Sequence, residues 1–155
     1  MPDSDNVSLL RLREFLPYRL SVLSNTISTR IAALYDREFG LSIWQWRVMA
    51  VVGDRTGISA TEIGQLTAMD KVAVSRAIAA MIQMGYLERK TSETDGRRSQ
   101  LFLTPAGRDV YELIVPIALA EEQKLSGALT EDEQQELERL MGKLADAASP
   151  DRELW

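Results

Sequence analysis

Over the first quarter of the chain, apolar residues return at steps of three or four: Leu9, Leu12, Leu16, Leu20, Leu23, Ile27, Ile31 and Leu34. That is the period of one face of an α-helix. It predicts an amphipathic helix from Ser8 to Phe39, kinked or broken early at Pro17, whose ring removes an amide donor and crowds the preceding turn. Gly40 ends it. Three later starts carry a hydroxyl followed three residues on by Glu or Gln: Ser42 with Gln45, Ser59 with Glu62, and Thr130 with Glu133. In such a box the hydroxyl caps one orphan amide and the longer side chain reaches back to another. Helices are predicted from these points, at about 43–54, 60–67 and 131–148. Asp70 as N-cap and Gly85 as C-cap enclose a further helix over about 71–84. After Gly85 the period falls to two. Residues 86–91 and 99–103 read as strands around a polar segment containing Asp95-Gly96, a strong turn signal. Thr104-Pro105 opens another helix, with proline at the first helical position, running to about Gly127 and bent at Pro116. The last helix gathers Leu137, Leu140, Met141 and Leu144 on one face.

A short helix, a tight turn, a second helix and a basic hairpin make a winged helix-turn-helix. The expected fold is mainly α with a small β-wing. The Ala-rich outer face of the second helix sharpens this into a function. With Val74 as reference, Ile78, Met81, Ile82 and Gly85 share its side, and Arg76 points opposite, flanked by Val72, Ala73, Ala79 and Ala80. A slim face of this kind enters a major groove about 12 Å wide, where Arg76 can donate two hydrogen bonds to guanine. Ser75, Lys71 and Val72 would contact nearby bases or phosphates. The same pattern also fits a plain surface helix with one arginine. The helix before it offers amides and the Ser59 and Thr61 hydroxyls to a backbone phosphate. At the hairpin tip, Arg97 and Arg98 can reach phosphates or the minor groove, with Asp95 orienting Arg97 and with Lys90 and Arg89 adding backbone contacts. Charged loop tips are also common without any such role.

Composition narrows the alternatives. A chain of 155 residues fits one domain, or one domain with an oligomerisation extension, and 45% hydrophobic content supports a core. There is no Cys and no His, which removes disulfides, thiol chemistry, the commonest general base and the commonest zinc ligand. No paired carboxylates, phosphate loop or nucleophile elbow stand out, so neither catalysis, metal nor cofactor is expected. The acidic, polar N-terminus is unlike a secretory signal, and the apolar run 113–120, interrupted by Pro116, is too short to span a bilayer. A cytoplasmic location and no membrane partner are expected. The net charge of -5 is divided unevenly: residues 55–108 hold 8 Lys and Arg against 5 Asp and Glu, and the remainder 10 against 18. The positive charge therefore lies in the half expected to meet DNA.

The hairpin run Asp95-Gly96-Arg97-Arg98-Ser99-Gln100-Leu101-Phe102-Leu103-Thr104, the helix start Asp70-Lys71-Val72-Ala73-Val74-Ser75-Arg76 and the segment Gln45-Trp46-Arg47-Val48-Met49 occur in the order found in the MarR family of bacterial transcriptional regulators. The chain closely resembles that family over nearly its whole length. The resemblance implies a homodimer in which 1–40 is an N-terminal dimerisation helix region, 41–104 the winged helix-turn-helix and 105–155 the C-terminal dimerisation helices. Independently, the apolar faces of 8–39, 105–127 and 131–148 exceed what a winged helix can cover. Leu113, Ile114, Ile117, Leu125, Leu129, Leu140, Leu144, Leu154 and Trp155 are candidates for packing between subunits, an intramolecular bundle being the other way to cover them. The resemblance further implies a ligand-responsive regulator, most often a repressor, with a small aromatic or phenolic effector bound between the dimerisation helices and the winged helix. Tyr18, Arg19 and Asn25 with Trp44 or Trp46 are its candidate residues. The other reading of each is structural: Trp46 in the core and Arg19 in an interface ion pair. A winged-helix module that binds protein without specific DNA binding is the alternative function.

Overall fold

The computed structural model describes residues 10–91 and 99–149. In order these form α1 (Leu16–Phe39), α2 (Ile43–Asp54), α3 (Ala60–Thr67), α4 (Lys71–Gln83), β1 (Leu87–Thr91), β2 (Ser99–Leu103), α5 (Pro105–Ser126) and α6 (Glu131–Ala148). Most ends are set by identifiable caps. All three capping boxes form, at Ser42, Ser59 and Thr130. The Asp70 carboxylate accepts from the Ala73 amide at 2.9 Å, and Thr104 accepts from Gly107 at 3.0 Å. At the end of α4, Gly85 takes φ +77, the Tyr86 amide donates to the Met81 carbonyl at 2.9 Å and the Gly85 amide to Ile82 at 3.0 Å. This pair of bonds closes the helix and turns the chain into the hairpin.

Of the kink or early break expected at Pro17, the structure has the break: α1 starts at Leu16, not at Ser8, with Pro17 in its first turn. Proline lacks the amide that a continuing helix would need, and the first turn is where that amide has no partner anyway. Residues 11–14 form a separate turn, with the Glu14 amide donating to Arg11 at 2.9 Å. α5 runs through Pro116 as one helix.

The hairpin is antiparallel, pairing Leu87 with Leu103 through to Thr91 with Ser99. A bridge between Ile58 and Leu101, with the Leu101 amide donating to Ile58 at 2.9 Å, ties the segment before α3 to the outer edge of β2. One core holds these pieces together: Val48, Met49 and Val52 from α2, Ile63 from α3, Val74, Ala77, Ile78 and Met81 from α4, Leu87 and Leu101 from the hairpin, Tyr35 from α1 and Ile114 from α5. Ile114 is fully buried within the protomer, which corrects its assignment to packing between subunits. Leu154 and Trp155 lie outside the described residues. The first turn of α5 sits directly on the loop after α4, where Gly107 is so close to the Tyr86 carbonyl that a Cβ there would overlap it. α6 contributes no buried residue.

Candidate nucleic-acid interface

α3 and α4 are joined by Ala68, in the left-handed region at φ 52, and by the buried Met69, which anchors the turn in the core. This fixes α4 with one side inward. Val74, Ala77, Ile78 and Met81 are buried, Ala73 and Ala80 are half-buried, and Lys71, Val72, Ser75, Arg76 and Ala79 are exposed. The structure therefore brings together on one outer surface four of the side chains assigned to base or phosphate contact, with Arg76 near the middle of the stripe. Ile82, expected on the core side, is 38% exposed because Ala77 occupies the inward position instead.

A polar cleft of about 560 Å³ separates the start of α3 from the hairpin, lined by Ser59, Thr61, Glu62, Gln65, Arg89 and Gln100 among others. A neighbouring hollow of about 550 Å³ continues it toward α4, past Thr61, Gln65, Lys71, Ser75 and Arg89. Thr61 and Arg89 face both. Thr61 is exposed. Ser59 is occupied locally: its hydroxyl lies 2.5 Å from the Glu62 carboxylate, which also accepts the Ser59 amide at 2.9 Å. That carboxylate at the start of α3 supplies the negative charge that a helix N-terminus attracts.

Strand alternation separates the two basic residues of β1. Lys90 lies on one face, 2.8 Å from the Glu88 carboxylate and 4.9 Å from the Phe102 ring centroid. Arg89 lies on the other, facing the cleft, and donates to the Ser99 hydroxyl at 3.2 Å. From the sequence, Lys90 and Arg89 have the same accessory role. The signal that could have separated them was the period of two, since Arg89 shares a face with the buried Leu87. Asp95, Arg97 and Arg98 lie outside the described residues.

The residues assigned to an effector are not gathered in one place. Trp46 lies between Tyr35, tilted at 45° with ring centroids 5.6 Å apart, and Tyr111, stacked at 6.1 Å. Trp44 is exposed, with the Arg47 guanidinium 5.2 Å from its ring centroid and Arg47 also donating to the Ser28 hydroxyl at 3.2 Å. Asn25 is exposed one helical turn before Ser28. Tyr18 and Arg19 are exposed at the far end of α1, about 25 Å along its axis from Tyr35. The sequence missed Tyr35. Its hydroxyl is buried with no hydrogen-bond partner among the described residues. Burial pushes its pKa up to about 12, against the opposing charge of nearby Arg47. A buried polar atom left unpaired is rare and destabilising, so its retention at the meeting point of α1, α2 and α5 calls for a reason.

Two helices joined by a tight turn, followed by an antiparallel hairpin and flanked by long apolar helices, define a winged helix-turn-helix protein. The profile of the MarR family matches residues 39–98. The curated HTH-type transcriptional regulator MgrA of Staphylococcus aureus is 26% identical over 144 residues, covering 92% of this chain and 95% of that protein. A MarR/EmrR family transcriptional regulator from Acinetobacter sp. ADP1 superposes with a TM-score of 0.84 at 24% identity, covering 91% of this chain and 99% of that one. A putative MarR family regulator from Listeria monocytogenes, solved with a 26mer DNA, superposes with a TM-score of 0.80 at 19% identity, covering 89% and 91%. Residues 39–98 thus carry the MarR family pattern, and the chain is similar along its length to MarR-type transcriptional regulators.

Proposed function

We propose that the chain is a ligand-responsive repressor that binds a pseudo-palindromic operator in double-stranded DNA as a homodimer. The observation that carries the reading is the outer face of α4, where Arg76, Ser75, Lys71 and Val72 are exposed together over a backbone thinned by Ala79 and Ala80. Arg76 reads guanine in the major groove. Arg89 and Thr61, in the adjoining cleft, hold the phosphate backbone, as do Arg97 and Arg98 with Asp95 orienting the former. Ser59 serves this arrangement by fixing the start of α3. The DNA seen with the Listeria relative supports the same use of this fold.

The homodimer reading rests on uncovered apolar surface. On α6, Leu137, Leu140, Met141 and Leu144 are each 43–47% exposed, joined by Leu113, Leu119 and Leu125 on α5 and by Leu20 and Leu23 on α1. Exposed apolar side chains in this number, with Leu23, Leu125, Leu137 and Met141 lining one hollow, suit an interface. A second copy covers it and sets two α4 helices one turn of DNA apart.

The effector reading rests on Tyr35. Its unpaired hydroxyl, the Arg47 guanidinium, which has no carboxylate partner among the described residues, and the Trp44 and Trp46 rings suit a small aromatic or phenolic acid at the α1–α2–α5 junction. Tyr18 and Arg19 of the same protomer are too far along α1 to join it. Tyr35→Phe is therefore expected to raise stability by about 1 kcal/mol, because it removes a buried group with no partner. The same variant should lose most of its response to aromatic acids in a Trp-fluorescence titration. Lower thermal stability together with an unchanged titration would contradict this role.

The test of the DNA reading is selection from a random-sequence duplex pool by the full chain. Enrichment of one inverted repeat is expected, with binding that weakens steeply as salt rises. Failure to bind any duplex at low salt would favour the protein-interaction module instead.

A further inference from the structure

Val72 is out of place by the ordinary rules of a helix surface. It is 58% exposed, the most exposed large apolar side chain on α4, and belongs neither to the core nor to the side chains packed against it. Valine has poorer helix propensity than alanine, so an uncovered valine in the first turn brings neither burial nor helix stability. Its surface neighbours are Lys71, Ser75 and Arg76, all polar, and Ala79. At about 100° per residue, Ala79 and Arg76 lie roughly 20° and 40° from Val72 around the axis, so the three share one stripe. Along the axis, Val72 and Arg76 are separated by about 6 Å, less than two base-pair steps of about 3.4 Å.

The side chain is also held in place. The Asp70 carboxylate fixes the first turn through the Ala73 amide at 2.9 Å. A valine in a helix occupies one χ1 rotamer in about 90% of cases, so its two methyls are fixed once the backbone is. A rigid apolar knob has one complementary feature on the floor of the major groove. Guanine, cytosine and adenine present hydrogen-bonding atoms and bare ring C–H edges there, whereas thymine alone adds a methyl group, at C5. Set against any other base, Val72 would strip water from a donor or acceptor and offer nothing in return.

We propose that Val72 is a specificity-determining residue that packs on a thymine 5-methyl group, one or two base pairs from the guanine read by Arg76. This rests on the reading of α4 as the DNA-contacting helix. It assigns the base content of the half-site: a thymine whose methyl, and not its hydrogen-bonding edge, is recognised.

The test uses the full chain and a duplex it has selected from the random pool, with each thymine replaced in turn by deoxyuridine, which removes only the methyl. Wild type should lose about 4-fold in affinity at one position of each half-site, the worth of one buried methyl, and about 15-fold with both replaced. Val72→Ala should bind the parent duplex more weakly by a similar factor and lose its sensitivity to that replacement. Alanine favours the helix, so thermal unfolding of this variant serves as the check that it is folded. A deoxyuridine scan with no sensitive thymine, or a Val72→Ala protein as sensitive as wild type, would overturn the assignment while leaving DNA binding intact. Absence of selection for any duplex would overturn both.

Discussion

Arg76→Ala is expected to cost about 1–3 kcal/mol per half-site, the worth of a lost two-bond contact to guanine. Both copies of a dimer lose it together, so affinity for the selected duplex should fall by roughly 30-fold or more. Binding to unrelated DNA at low salt should change little, because Arg89, Lys71 and the hairpin arginines still meet the phosphates. The side chain is exposed and engages none of the ion pairs found among the described residues, so stability should stay within about 0.5 kcal/mol of wild type. Anisotropy titrations on the selected and on scrambled duplexes separate the two effects. Equal affinity of wild type and variant for the selected duplex would show that α4 does not read bases through this residue.

Gly107→Ala is expected to damage the fold instead. Gly107 lies in the first turn of α5, against the Tyr86 carbonyl, which also accepts the Thr104 amide at 3.1 Å. A Cβ would overlap that oxygen and part of its peptide, none of which is a flexible side chain able to move aside. Relief requires lifting the start of α5 off the hairpin, breaking the Thr104 cap or shifting the strand. A cost of about 3 kcal/mol is expected, lowering Tm by roughly 10 °C. Gly64→Ala is the control. Its Cβ would meet Val74 at 3.6 Å, an ordinary contact, and α3 should tolerate it. Thermal unfolding of the two variants, followed by circular dichroism, makes the comparison. Equal Tm for Gly107→Ala and wild type would show that α5 is not tied to the hairpin as described.

What the sequence disclosed, it disclosed through local chemistry. α2, α3 and α6 begin where their capping boxes stand, and the hairpin follows Gly85 because the left-handed glycine and the change of period are both written into adjacent residues. The sequence leaves open whether α1 kinks or breaks at Pro17, because Leu9 and Leu12 continue the apolar spacing while Pro17, a single residue, decides where the helix begins. Ile114 was placed at the interface because α5 is apolar on more than one side, and spacing alone does not say which side meets the core. The Tyr35–Trp46–Tyr111 cluster was illegible for a different reason. Its members come from three helices, and nothing local to Tyr35 announces a hydroxyl that will be buried without a partner. Arg76 was legible because its role depends on one helix; the place of Arg89 depends on how a hairpin packs against two others.

The central claim is that two copies of α4 read two symmetric half-sites. Hydroxyl-radical footprinting of the full chain on its selected duplex tests it directly. The account predicts two protected segments related by a twofold axis, with centres about 10 bp apart on one face of the DNA. A single protected segment without symmetry, or protection that is the same on a scrambled duplex, would contradict it.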